Sequence, residues 1–100
     1  MNKAFGELIQ KLRKEKGWTI KDFIEKLGSD LSPTYITKIE VYGEIPSPEV
    51  ICKIADVFNF DEKELLERAK QNKVERFEKS LEEKYQKASG LYRTQKGNTN

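Results

Sequence analysis

Apolar residues along the chain fall into five short clusters, each bounded by cap and turn residues. Phe5, Leu8, Ile9 and Leu12 recur at helical spacing, which predicts a first helix over residues 3–16 with Asn2 as its cap. Gly17 follows a lysine-rich turn and is the expected stop. Thr19 then caps a second helix, and Asp22 three residues on completes a capping-box pattern with a shorter acid. Phe23, Ile24 and Leu27 form its buried stripe before Gly28. Ser32 and Pro33 open a third helix, since a proline at the first helical position removes an N–H that would lack a partner anyway. Ile36 and Ile39 lie three apart and share its inner face. Gly43 and Pro46 break the pattern. Ser47 and Pro48 start a fourth helix, with Val50, Ile51, Ile54, Val57 and Phe58 on its apolar side, and Asp61 caps a fifth containing Leu65, Leu66 and Ala69. No segment alternates as a strand does, so the expected fold is all-α.

Beyond Ala69 a narrower stripe continues through Val74, Phe77, Leu81, Tyr85 and Ala88 on a highly charged helix. It either prolongs the fifth helix or follows a break near Asn72, and Gly90 is its expected end. The closing "TQKGNTN" has nothing to bury and is expected to be disordered. The predicted organisation is therefore residues 1–69 as a domain, 70–90 as a C-terminal amphipathic helix, and 91–100 as a tail.

One hundred residues allow one small domain with a short extension. Hydrophobic residues make up 36%, enough for a single modest core only if nearly all of them cooperate. No run of eighteen apolar residues and no secretory leader is visible, so the cytoplasm is the expected location. The single cysteine, Cys52, excludes an intramolecular disulfide and reads as a small half-buried hydrophobe. With no histidine, the usual proton shuttle and the commonest metal ligand are missing. Asp22 and Glu25 read as helix-face charges, because no nucleophile or pocket pattern accompanies them. No catalytic residue, metal or cofactor is expected. Residues 1–69 hold 11 Lys/Arg against 13 Asp/Glu, whereas residues 70–100 hold 8 against 4. A polyanion would have to be bound by a local patch and not by overall charge.

The second and third helices are short and joined by a short turn, the arrangement of a helix-turn-helix. With Ile36 and Ile39 inward, Thr34, Tyr35, Thr37 and Lys38 face outward or to the edge. Short hydrogen-bonders, an aromatic and a cation suit the groove of duplex DNA.

"LIQKLRKEKGWTIKDFIEKLG" followed by "SPTYITKIEVYGEIPSPEVICKIADVFNFDEKELL" resembles the helix-turn-helix domain of lambda-repressor/Cro regulators, the xenobiotic-response-element family of bacteria and phages. The resemblance covers about residues 5–67 and rests on an ordered set: Leu12-Arg13, Gly17, Thr19, Leu27-Gly28, Tyr35-Ile36, Lys38-Ile39-Glu40, Gly43, Pro46, Ile54-Ala55 and Leu65-Leu66. It implies a five-helix domain that places residues 32–41 in the major groove of double-stranded operator DNA, commonly as a homodimer. It implies base-edge positions at Pro33, Thr34 and Lys38, with Thr37 beside them. Lys38 is matched to guanine O6 or N7, and Thr34 to a base or a thymine methyl. Phosphate contacts are implied for Thr19 and Ser32, and more weakly for Lys21, Lys14 and Tyr42; Tyr35 has two readings, a phosphate contact or partial core packing with its hydroxyl outward. Arg13 and Glu40 correspond to a buried ion pair tying the first helix to the third. Trp18 is expected to pack at the core or its rim.

The chain departs from the family pattern in places. The turn "GSDLS" is about two residues longer than usual, with Leu31 expected to plug the core. Pro33 stands where a Gln or Arg is common, Ile20 where a Gln often contacts phosphate, and Glu44 puts an acid in the following loop. The stripe Val74, Phe77, Leu81 and Tyr85 has three readings: a dimerisation helix, which is preferred, a segment folded back on the core, or a docking site for an antirepressor or toxin. The function expected is a DNA-binding transcriptional regulator, with an antitoxin-type regulator or a module that has lost DNA binding as alternatives.

Overall fold

The computed structural model describes residues 2–28 and 30–96, with side chains as far as residue 88. Five helices follow one another: α1 (Ala4–Glu15), α2 (Ile20–Leu27), α3 (Pro33–Glu40), α4 (Pro48–Val57) and α5 (Glu62–Lys96). No strand occurs among the described residues, and the fold is all-α as expected.

Local chemistry sets most helix starts. Thr19 Oγ1 accepts the Asp22 N–H at 3.1 Å, and the Asp22 carboxylate accepts the Thr19 N–H at 2.9 Å, closing the capping box. Ser32, Ser47 and Asp61 each accept an N–H three residues on. Gly17 (φ 72°) and Gly28 (φ 63°) turn the chain out of α1 and α2 in the left-handed conformation.

The start of α1 is a correction. Lys3 occupies the cap position without a side-chain bond. Asn2 acts one residue upstream, its Oδ1 accepting the Ala4 N–H at 2.9 Å. The Phe5 N–H, also lacking a partner within the helix, donates to Asn72 Oδ1 at 2.8 Å from α5. Asn72 Nδ2 donates in turn to the Asn2 carbonyl at 3.1 Å. The possible break near Asn72 is therefore absent: the buried amide satisfies one backbone group in the first turn of α1 and one just before it, which outweighs its poor helix propensity.

α5 is one unbroken rod of about 52 Å at ~1.5 Å rise per residue. It packs mainly on α4 and also on α1. Its contacts with the rest continue past Ala69: Asn2 Nδ2 donates to Glu75, and Arg76 Nη1 donates to the Gly43 carbonyl in the α3–α4 turn. The stop expected at Gly90 is not found, and neither is an irregular chain over residues 91–96, because α5 continues to Lys96. A lone glycine costs a helix only about 1 kcal/mol, and no proline follows it. Residues 97–100 of the expected tail lie outside the described residues.

The core gathers Phe5 and Ile9 from α1, Phe23 and Leu27 from α2, Ile36 and Ile39 from α3, Ile51, Ile54 and Ala55 from α4, and Leu65 and Ala69 from α5. Phe58 stacks on Trp18 at 5.5 Å and meets Phe23 at 5.1 Å between ring centroids. Trp18 thus packs at the rim, with Lys26 Nζ 5.7 Å from its ring. Leu31 packs against the core from the α2–α3 turn, as the longer turn requires.

α1 and α3 meet more closely than side chains would allow. A Cβ built on Gly6 would lie 2.1 Å from the Ile39 carbonyl oxygen, and that oxygen belongs to the backbone. Gly6→Ala is expected to lower stability by about 2 kcal/mol through overpacking, despite alanine's higher helix propensity. Urea unfolding monitored by circular dichroism checks this, and an unchanged or raised midpoint would contradict the contact.

Candidate nucleic-acid interface

α3 is oriented by what lies beneath it. Ile36 and Ile39 are fully buried, each contributing about 2 kcal/mol of apolar burial. Glu40, at the end of the helix, is buried and grips Arg13: Nε reaches Oε2 at 2.8 Å and Nη2 reaches Oε1 at 3.0 Å. The third guanidinium nitrogen, Nη1, donates to the Trp18 carbonyl at 2.7 Å. With this inner face fixed, Ser32, Pro33, Thr34 and Lys38 stand exposed on the outer one.

The edge residues are partly engaged. Thr37 is half-buried, and its hydroxyl donates to the Pro33 carbonyl at 3.0 Å. Its oxygen lone pairs and methyl group stay usable, whereas its proton is committed. Tyr35 packs against the core. Burial raises its phenol pKa above the ordinary value and the Glu44 charge adds to this, while a bond from the Ser47 backbone works the other way. The hydroxyl therefore sits by the start of α4, with an acid beside it.

Thr19 and Lys21 are exposed at the N-terminus of α2, Lys14 is exposed late in α1, and Tyr42 is exposed in the turn after α3. That turn is tied back by the Glu44 N–H to the Lys38 carbonyl at 2.9 Å. At α2 the helix end already holds a negative charge. Bonds from the Thr19 backbone and hydroxyl hold the Asp22 carboxyl below its usual pKa, helped by the Lys21 and Lys26 charges. Of the residues implied to face DNA, Pro33, Thr34, Thr37 and Lys38 share one surface with Ser32. Val74, Phe77 and Tyr85 are exposed on α5, and Leu81 is half-buried there.

A family model described as Helix-turn-helix matches residues 9–65. The chain belongs to the Cro/C1-type helix-turn-helix family. This helix-turn-helix family is one of DNA-binding transcription regulators and not of enzymes. No curated protein and no solved structure matches the chain significantly. No group of metal-ligating side chains occurs among the described residues, and no described helix is long and apolar enough to cross a membrane.

Three residues that hold the helix-turn-helix in place were not legible in advance. Gly6 carried a faint signal, as a glycine inside a strong helical stripe. Asn72 and Arg76 gave none, because their partners lie at the other end of the sequence or in a turn.

The Asp22 bonds make a pH prediction. Its folded pKa lies below the unfolded reference of 3.8, so its stabilisation is complete above 3.8 and disappears as pH falls through the lower folded value. Asp22→Asn is expected to be less stable than wild type near neutrality, with the gap closing in strong acid. Paired thermal melts across that range read it, and a gap that stayed constant would contradict the bonds.

Proposed function

We propose that the chain is a sequence-specific repressor that binds a pseudo-palindromic operator as a homodimer, each copy laying α3 in the major groove. The observation that carries this is the asymmetry of α3: Ile36, Ile39 and Glu40 are buried, while Pro33, Thr34 and Lys38 are uncovered. Lys38 donates to guanine O6 or N7, Thr34 reaches a base edge or a thymine methyl, and Pro33 offers an apolar contact. Thr37 adds its methyl group and an accepting oxygen.

Phosphates are gripped at the two helix N-termini and beside the turn. Ser32 serves the start of α3, Thr19 and Lys21 the start of α2, Lys14 and Tyr42 flank them, and Tyr35 reaches a phosphate from beside the start of α4. At α2 the capping box uses the Thr19 and Asp22 N–H groups, which leaves those of Ile20 and Lys21 to meet an anion. Bound in this way, the protein blocks polymerase wherever the operator overlaps its path.

Gel shifts with genomic fragments over a range of salt test this. Lys14 and Lys21 on two copies neutralise about four phosphates, so log affinity should fall with log salt at a slope of about −3 to −4. Lys38→Ala is expected to weaken binding by about 1–3 kcal/mol and to relax the preference at one base pair. Binding without sequence preference at every salt concentration, or indifference to Lys38→Ala, refutes the reading.

A further inference from the structure

Of the large apolar side chains left exposed among the described residues, Val74, Phe77 and Tyr85 all lie on α5. Phe77 is 63% exposed and Tyr85 69%, too much for residues at the edge of a core. At its N-terminal end this stripe runs into an apolar groove of about 570 Å³ between α5 and the segment leading into α4, lined by Ile45, Pro46, Ile51, Leu66, Val74 and Phe77. Groove and stripe form one continuous surface, and the family match ends before most of it.

We propose that a second copy of this chain covers this surface, with the two α5 helices side by side, parallel and in register. The inference rests on the dimeric reading above and adds its geometry. Charge decides the direction. With Val74, Leu81 and Ala88 at the a positions of a heptad and Phe77 at d, the flanking g positions hold Lys73, Ser80 and Lys87, and the e positions hold Glu78 and Tyr85. In a parallel pair each g residue meets the e residue five places on in the other helix. Lys73 then faces Glu78 of the partner subunit, and symmetry makes the pair twice. In an antiparallel pair g meets g and e meets e. Glu78 would face the partner's Glu78, and Lys73 would face the partner's Lys87, so every charged contact would repel.

The seam is short, because Lys84 occupies the next d position and must turn its ammonium outward. Fewer than three heptads hold together poorly alone. The groove beside the seam supplies the rest, where the two Phe77 rings of the d layer close over Ile45 and Pro46. A parallel pair also sets both helix-turn-helix units at one end of the assembly, where two half-sites of one operator need them.

Sedimentation equilibrium of the full chain without DNA tests the arrangement. The expected result is a dimer whose dissociation constant rises at least tenfold in Phe77→Asp, while circular dichroism shows that the exposed site leaves the monomer folded. Lys73→Glu and Glu78→Lys are each expected to weaken the dimer about tenfold, and the double variant to restore it, because the two pairs are only reversed. A wild-type monomer at every concentration, or a dimer indifferent to Phe77→Asp, overturns the proposal. So does a dimer that Lys73→Glu strengthens, which is the antiparallel signature, or one that neither charge change affects. A monomer that still shifts operator DNA refutes this pairing and spares the recognition by α3. A dimer with the expected responses but no DNA preference does the reverse.

Discussion

The recognition surface depends on one side chain, Arg13. Its guanidinium holds both carboxylate oxygens of Glu40 and the Trp18 carbonyl, while its own backbone carbonyl accepts the Trp18 N–H at 3.2 Å. A single residue of α1 thereby fixes the end of α3 and the entry to α2. Two apolar side chains could fill the same space with similar stability, since the desolvation of two buried charges offsets much of their attraction. What an apolar pair lacks is direction. The planar fork accepts one orientation of the carboxylate, and with it one rotation of α3 about its axis. A rotation of one residue would carry Ile36 out of the core and Lys38 toward it.

The end of α1 and the starts of α2, α3 and α4 were readable because their causes are local. A serine before a proline, a threonine three residues before an acid and a glycine after a lysine-rich turn act through bonds spanning three or four residues. The outward face of α3 was readable for a similar reason, since Ile36 and Ile39 determine what lies opposite. The Arg13–Glu40 pair came from family resemblance and not from spacing, as nothing in one sequence joins positions 13 and 40. Gly6, Asn72 and Arg76 escaped because their meaning lies in contacts with distant segments. The commitment of Thr37 escaped because it depends on a side-chain torsion that no periodicity encodes, whereas partial core packing was already one of the two readings of Tyr35.

The DNA-facing surface is sparing with charge. Asp22 occupies the positive end of α2, Glu44 lies close to Tyr35, and residues 1–69 carry more acids than bases. In the proposed docking of α3, Lys14, Lys21 and Lys38 are the cations that meet the duplex. Loose attraction to any polyanion is weak on such a surface, so discrimination must come from fit and hydrogen bonding within the groove. In the proposed dimer, linking two such readers raises the affinity of the pair without any added charge.

The amide of Asn72 gives the molecule an unusual dependence between its ends. By sequence alone the helix-turn-helix closes near residue 65, and a cut there looks harmless. Such a cut would remove the acceptor for Phe5 and loosen the opening turn of α1, next to the place where Gly6 presses on Ile39. Damage at one terminus would surface as fraying at the other. The opening turn of α1 and the stretch of α5 as far as Arg76 therefore stand or fall together.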